Sequence, residues 1–503
     1  MPADTVPAER HVLPRVLGPV AAYCVVVGCV IGSGIFMVPA TVAHEVPFLG
    51  GILIVWIVAG ILSGLGALTL AELGAMMPHA GGPYVYLRAA YGRLPAFLFG
   101  WTEFTIERTG SMATLAAAFA RYFIQLVPPP DGIDGKVWQG LVAVAAIAVV
   151  TTVNILGTRR GSALQVVGTV LKVGGVLALM SLPLLLRRGT PANLAPAWPQ
   201  AWNTSVVMAM LAAMVHVLWA YDGWINVTPL AEEVREPGRN IPRALILGMG
   251  TLIAVYLCMT VAYHYVLPLA DIAAANDPQG KIEKAVAAVY CSELLGHPGV
   301  VAISMLVMCS TFISLNGNAL TGPRAYFAMA RDGLLPRALG RIHPRYQTPA
   351  NAVLAQGLWA SMLVVVGTAI VSGGAPDTVG ESAGAMGWIS AAWLKLHQTP
   401  LYDILLTYVI FGANLFYLLS ISSVFVLRAK FPDKERPYRT WGYPATPILY
   451  VIVSVVFLGS MLVNEQSRVQ ALAGIGLILL GIPAFVLLKR SDEPTAAGSD
   501  SLA

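Results

Sequence analysis

Charged residues are scarce in this chain of 503 residues: Asp, Glu, Lys and Arg make up only 11% of it, whereas hydrophobic residues make up 57%. Soluble domains carry roughly 25% charged residues, so this composition excludes an ordinary water-soluble protein. The apolar residues fall in runs of about 20 to 30, long enough to cross a bilayer core of roughly 30 Å as helices. The composition predicts an all-α polytopic membrane protein surrounded by a lipid bilayer.

The chain also has few of the residues that build metal centres and catalytic sites. Its 5 cysteines and 8 histidines show no metal-ligand spacing and suggest no disulfide framework. It has no GxxxxGK[ST] phosphate-binding loop and no recognisable order of Ser, His and Asp. We therefore expect no metal, no cofactor, no enzymatic activity and no ATP-driven pump.

The formal net charge of +5 reflects basic residues that lie mainly in alternate loops, as at Arg159 and Arg160. The first loop on the opposite side has neither Lys nor Arg. Basic residues gather on the cytoplasmic side of membrane proteins. The pattern predicts topology rather than a nucleic-acid partner, with both termini in the cytoplasm and the chain in the cell (inner) membrane.

Glycine, proline and charge clusters divide the chain into about 12 predicted transmembrane helices. A short amphipathic helix is predicted outside the membrane over residues 283–295. The predicted spans are 17–42, 51–76, 94–127, 137–156, 164–186, 203–233, 241–267, 299–329, 351–372, 401–427, 446–463 and 469–488.

Two of these spans are interrupted near the middle. The first contains Gly32-Ser33-Gly34 and the sixth contains Asp222-Gly223. Unpaired backbone groups in lipid cost several kcal/mol each, so such a break persists only beside a cavity or a ligand. The breaks stand five spans apart, as in carriers built from two inverted repeats with discontinuous helices 1 and 6. The expected organisation is a cytoplasmic tail (1–16), a first repeat (17–186), a second repeat (203–427) with an extracellular insertion (373–400), two further helices (446–488) and a cytoplasmic tail (489–503).

The broken helices suggest the chemistry of the ligand. A half-helix N-terminus presents N–H groups suited to a carboxylate, whereas an opposing C-terminus presents carbonyls suited to an ammonium. A zwitterionic amino acid matches both ends. The alternative is that the glycines only allow helices to pack closely.

Five segments resemble a known family, the amino acid–polyamine–organocation superfamily, and within it the L-type amino acid transporters and their bacterial relatives. The likeness covers nearly the whole chain and implies a secondary active transporter of amino acids, working by sodium-independent exchange or uniport through alternating access. The segments are GSGIF (32–36), GGPYVYLRAAYG (81–92), WTEFTIERTGS (101–111), AYDGWINVTPLAEEVREPGRNIPRAL (220–245) and ARDGLLPRALGRIHPRYQTPANAVL (330–354).

The resemblance also implies where the substrate binds. The substrate carboxylate would rest on backbone N–H groups of Ser33 and Gly34, and its amino group on carbonyls near Ala220 and Tyr221. Trp219 takes the place of an aromatic gate. The predicted substrate-binding set is Ile31, Gly32, Ser33, Gly34, Trp219, Ala220, Tyr221, Asp222 and Gly223.

Ionisable residues within spans need a partner or a water-filled cavity. Lys172 stands where the family carries a lysine beside the broken first helix, which implies that its ammonium replaces the sodium ion of more distant relatives. We expect it to bond carbonyls freed at Gly32 to Gly34; the alternative is an ordinary buried lysine. Asp222 either meets a cationic substrate side chain, as the resemblance implies, or caps the second half-helix.

Four further polar residues, Glu103, Glu107, Asn316 and Asn318, are candidates for coupling or structural roles. Glu103 and Glu107 are one helical turn apart on the third span and precede Arg108, which suggests an ion-pair network or a proton relay. Asn316 and Asn318 could line the cavity from the eighth span, or hold helices together.

Other functions remain open at this point. Proton-coupled symport of amino acids or polyamines is the nearest alternative, and a membrane amino-acid sensor belongs to a different class. Animal members of the family form a disulfide to a heavy chain through a cysteine between helices 3 and 4. Residues 125–136 contain no cysteine, which argues against a covalent heavy-chain partner.

Overall fold

The structure is a computed structural model that describes residues 12–275, 285–372, 401–463 and 465–490. Within these ranges the chain is helical, and the sole strand-type pairing is a parallel bridge between Leu17 and Val234. Ten described helices are long and apolar enough to cross a membrane, or eleven if the bent pair at the start counts as one span. The all-α polytopic prediction is confirmed. The predicted insertion, residues 373–400, lies outside the described ranges.

The first half of the chain contains the interrupted first and third spans. A π-helical turn, Glu103–Glu107, joins two α-helices in the third span. This span is not among the eleven, and Glu103, Glu107 and Arg108 interrupt its apolar sequence. The helices are α1 (Pro19–Val30), α2 (Gly34–Glu45), α3 (Leu49–Met76), α4 (Pro83–Tyr91), α5 (Arg93–Thr102), α6 (Arg108–Leu126), α7 (Gly135–Ile155) and α8 (Thr158–Leu186).

The second half contains the interrupted sixth span and the last helices. Short 3₁₀ segments occur at Pro191–Leu194, Trp224–Glu233 and Arg337–Gly340. The α-helices are α9 (Thr204–Ala220), α10 (Pro237–Val266), α11 (Leu269–Ala274), α12 (Val286–Leu295), α13 (His297–Thr321), α14 (Pro323–Arg331), α15 (Ala350–Ser372), α16 (Leu401–Lys430), α17 (Ala445–Val463), α18 (Glu465–Leu479) and α19 (Gly481–Arg490).

The predicted outer helix over residues 283–295 corresponds to α12, which begins at Val286. It is more buried than an amphipathic surface helix: Tyr290, Cys291 and Leu294 are all enclosed, and α12 packs on α13 and α2.

Two groups of helices pack around the broken first span. In one group α3 packs along α10, and in the other α6, α7, α13 and α15 pack on one another. The first span lies between them, because α1 contacts α10, α8 and α13. This arrangement places the breaks of the first and sixth spans deep inside the protein.

Two consecutive glutamates at the end of the sixth span bind distant segments of the chain. Glu233 accepts a hydrogen bond from Arg324 Nε at 2.7 Å, and both side chains are fully buried. Glu232 accepts from the backbone N–H groups of Leu13 at 2.8 Å and Ala80 at 3.0 Å. We call Glu232, Glu233, Arg324, Leu13 and Ala80 the glutamate lock. It ties the start of the described chain to the end of the sixth span.

Candidate functional site

The first span is broken between Val30 and Gly34, where α1 and α2 meet at an angle of 41°. The first N–H groups of α2 have no partner within their own helix, as at any helix start. Because Gly34 lacks a side chain, the start of α2 approaches the end of α9 closely. A Cβ atom on Gly34 would lie 2.9 Å from both the Cα and the Cβ of Ala220.

The carbonyls released by this break are bound by side chains from neighbouring helices. Lys172 Nζ, which is fully buried on α8, donates to the carbonyl oxygens of Gly28 and Ile31, each at 2.5 Å. The Ser310 and Ser314 hydroxyls on α13 also donate to the Ile31 carbonyl, at 2.9 and 3.2 Å. The ammonium therefore bonds the end of α1 and not the carbonyls of Gly32 to Gly34 as expected, because the end of a helix is where unpaired carbonyls occur.

The sixth span is broken at Tyr221–Gly223, after which the chain continues as a 3₁₀ helix from Trp224. Gly223 has φ of +105°, a conformation that L-residues with side chains rarely adopt. A Cβ atom there would also lie 3.4 Å from Cys29. The glycine thus permits the turn, whereas the distance to Cys29 is an ordinary van der Waals contact.

One tyrosine hydroxyl joins the two breaks. Tyr256 Oη, on α10, lies 3.1 Å from the carbonyl oxygen of Val30 and 3.0 Å from that of Ala220. These carbonyls belong to the last residues of α1 and α9. A hydroxyl carries one proton, so it can donate a full hydrogen bond to only one of the two carbonyls at a time.

A cavity lies where the broken spans meet the third span, and it contains about 660 Å³ of space that includes open solvent. Most of the predicted binding set lines it. The lining residues are Cys29, Val30, Gly32, Ser33, Gly34, Glu107, Arg108, Ser111, Thr114, Leu115, Trp219, Ala220, Asp222, Gly223, Asn226 and Asn318.

Two members of the predicted binding set do not line this cavity. Ile31 is fully buried and contributes its carbonyl to Lys172. Tyr221 is also fully buried, and its ring packs against Trp56 and Tyr256. Both residues belong to the breaks but lie away from the cavity wall.

The two asparagines on α13 have different surroundings because they lie on different faces of the helix. Asn318 lines the cavity. Asn316 instead connects helices: its Nδ2 donates to Gln165 Oε1 at 2.9 Å, and its Oδ1 accepts from Asn154 at 2.9 Å. Ser310, Ser314 and Asn318 recur every four residues, so they share one face of the helix. That spacing is the signal in the sequence that distinguishes Asn318 from Asn316.

The two acidic residues of the third span also have different surroundings. Glu103 Oε2 accepts from Arg108 Nε at 2.6 Å and does not line the cavity, whereas Glu107 does. The sequence interpretation placed them one regular turn apart, but the intervening turn is π-helical. It also missed Asn226, whose Oδ1 accepts from Arg108.

Asp222 lines the cavity and accepts a hydrogen bond from Tyr417 Oη at 2.6 Å. Trp219 lines the cavity beside it. No group of three or more His, Cys, Asp or Glu side chains that could hold a metal ion occurs in the part of the chain that the structure describes.

Known proteins resemble this chain over most of its length. A family model described as amino acid permease matches residues 17–480. The chain is 31% identical over 460 residues to b(0,+)-type amino acid transporter 1 of Mus musculus, covering 90% of this chain and 84% of the relative. It is 29% identical over 485 residues to the serine/threonine exchanger SteT of Bacillus subtilis, covering 96% and 98%. It is 27% identical over 493 residues to the human cystine/glutamate transporter, covering 96% and 87%.

These relatives are carriers, and the model match extends from the first span to the last. The predicted superfamily and function are therefore confirmed: the protein is an integral membrane transporter and not an enzyme. The chain belongs to the amino acid permease family and is a secondary active transporter of amino acids.

Proposed function

We propose that the protein exchanges amino acids across the cell membrane, or carries them as a uniporter, without sodium and with both termini in the cytoplasm. The observation that carries this proposal is the Lys172 ammonium, which occupies the end of the broken helix α1 with its charge against the Gly28 and Ile31 carbonyls. Such carbonyls coordinate sodium in coupled carriers. A fixed ammonium makes a bound cation there unnecessary.

The substrate would lie in the cavity between the two breaks. Its carboxylate faces the N-terminal turn of α2 at Ser33 and Gly34, where the helix dipole favours negative charge. Its amino group faces the C-terminal end of α9 at Ala220 and Tyr221. Exchange is supported by the activity named for the Bacillus subtilis relative. The five cysteines, all unpaired, lie outside the loop between α6 and α7, which supports function without a disulfide-linked partner.

Replacement of sodium by choline is expected to leave transport unchanged. The purified protein would be reconstituted into liposomes preloaded with unlabelled amino acid, and uptake of a labelled panel of twenty amino acids measured in each salt. Equal rates follow if Lys172 supplies the cation of the first span. Loss of uptake in choline would show that an ion site exists and that the assignment of Lys172 is wrong.

Tyr256→Phe is expected to slow exchange by about tenfold, since it removes a hydrogen bond worth about 1 kcal/mol and leaves two buried carbonyls without that donor. The fold should be retained because the ring packing is unchanged. Tyr23→Phe is the matched control: its hydroxyl pairs with Thr251 at 2.9 Å, away from the breaks. Equal rates for the two variants would show that the bridge between the breaks does not contribute to transport.

A further inference from the structure

A second cavity lies at one end of the bundle, where several spans begin or end, and we call it the basic cavity. Three segments form its wall: Pro14 and Val16 before α1, residues 156–160 where α7 gives way to α8, and residues 345–347 before α15. It contains about 1170 Å³ of space, open solvent included. Because α7, α8 and α15 are long and apolar enough to cross a membrane, their ends place the basic cavity at the level of the membrane surface.

Three arginines line the basic cavity, and no acidic side chain of the described residues does. Arg159 and Arg160 occupy the first turn of α8, and Arg345 comes from the segment before α15. None of the three forms an ion pair with an Asp or Glu in the part of the chain that the structure describes. Like charges around one space repel one another, so an anion that enters it is attracted by all three.

Two further features suit a phosphate group in particular. The first N–H groups of α8 have no carbonyl partner within the helix, and a helix N-terminus favours a bound phosphate. Arg345 Cζ lies 5.7 Å from the centroid of the Tyr346 ring, a cation–π contact that leaves the guanidinium charged. A guanidinium pairs with phosphate through two parallel N–H bonds. The donors of the basic cavity therefore match a phosphate ester.

An apolar strip continues from the basic cavity along α8. The residues seven and eleven positions after Arg160 share its face of the helix, and they are Val167 and Leu171, which are 60% and 61% exposed. The strip begins about 10 Å from Arg160 by helical rise, inside the span. A soluble anion makes no contact with such a surface, whereas a phospholipid has its phosphate at the membrane surface and its acyl chains alongside the helix.

We propose that the basic cavity binds the headgroup of an anionic phospholipid, with Arg160 and Arg345 holding its phosphate and an acyl chain lying against Val167 and Leu171. Basic pockets between membrane helices bind such headgroups. A zwitterionic headgroup brings a cation of its own, which the arginines repel. The basic cavity shares no lining residue with the cavity between the two breaks, so this site goes beyond the exchange of amino acids and does not depend on it.

A bound headgroup would join segments that are far apart in the sequence. One of its wall residues, Thr158, donates from its hydroxyl to Glu233 Oε2 at 2.7 Å, which connects the basic cavity to the glutamate lock. A ligand that binds only the folded state stabilises it. Anionic lipid is therefore expected to raise the melting temperature of the protein.

The experiment measures the melting temperature of the purified protein in detergent during titration with three probes. These are dioleoyl phosphatidylglycerol, dioleoyl phosphatidylcholine with the same chains, and inorganic phosphate at the same ionic strength. Phosphatidylglycerol should stabilise wild type, and the other two should not. Arg160→Gln/Arg345→Gln should need about tenfold or more phosphatidylglycerol for the same rise, because each basic residue near the surface adds to the attraction of an anionic lipid.

Arg337→Gln/Arg341→Gln is the matched control, since it removes two exposed arginines that lie outside the basic cavity, and it should titrate as wild type does. Equal responses of the two double variants would show attraction to the surface in general and would overturn the site. Equal stabilisation of wild type by phosphatidylcholine would also overturn it. Equal stabilisation by inorganic phosphate would assign the basic cavity to a soluble anion and exclude the lipid.

If Arg160→Gln/Arg345→Gln does not fold, the two single variants replace it. Each should need several times more phosphatidylglycerol than wild type, and a wild-type response in both would contradict the site. All these measurements record binding and none records transport. A negative result would therefore leave the proposed exchange of amino acids standing, and a failure of exchange would leave the lipid site standing.

Discussion

Lys172→Ala is expected to slow amino acid exchange by roughly thirty- to a hundredfold, with the folded protein still recovered from membranes. The substitution removes the ammonium from the Gly28 and Ile31 carbonyls and leaves Ser310 and Ser314 as the remaining side-chain donors there. An unsatisfied buried polar group costs about 1 to 3 kcal/mol, and 1.36 kcal/mol corresponds to a factor of ten in rate. The broken segment would then lose the arrangement that binds substrate.

The measurement is exchange of labelled substrate in liposomes at a matched protein-to-lipid ratio, together with the melting temperature of the purified variant. Lys172→Met is the informative companion, because it keeps most of the side-chain volume and removes the charge. Both variants should be slow. A methionine variant with the wild-type rate would show that Lys172 only fills space in the core.

Gly34→Val is expected to abolish substrate binding while membrane insertion is retained, and this is the largest effect we predict. Even the Cβ atom of alanine would lie 2.9 Å from Ala220 Cα and Cβ, so either α2 or the end of α9 must move. Valine adds two methyl groups, and overpacking of this kind costs about 1 to 3 kcal/mol before any loss of contacts with substrate. The two breaks would separate, and the helix ends would no longer face one ligand.

Gly174→Val is the matched control, because Gly174 lies in α8 with no heavy atom within 4 Å of an added Cβ. It should transport normally. Gly34→Ala should already be strongly impaired, since the clash involves the Cβ itself. Normal affinity in a folded Gly34→Val protein would mean that the substrate binds elsewhere.

The sequence predicted most of the spans and both breaks because the bilayer leaves few alternatives. A membrane helix needs about 20 apolar residues, and a backbone break in lipid needs a local reason. Gly32, Gly34 and Gly223 are therefore strong signals. The inverted repeat itself remains a prediction, based on the spacing of the two breaks.

The contacts within the cavity were harder to predict, because they depend on helix rotation and tertiary position. A single π turn changes which of Glu103 and Glu107 faces the cavity, and no residue type marks such a turn. Tyr256 joins the two breaks from the middle of a span that contains other tyrosines. By contrast, the four-residue spacing of Ser310, Ser314 and Asn318 was present in the sequence and could have identified the α13 face.

The glutamate lock bears on the balance between exchange and net flux. If the bundle opens on that side by separating Arg324 from Glu233, the step breaks a buried ion pair, which costs several kcal/mol unless water replaces both partners. Substrate binding can offset this cost if the open state binds substrate more tightly than the closed state does. An empty carrier has no binding free energy to offset it. We therefore expect the empty protein to reorient slowly, so that each molecule exported is matched by one imported. Such a carrier changes the composition of a cell's amino acid pool and leaves its size the same.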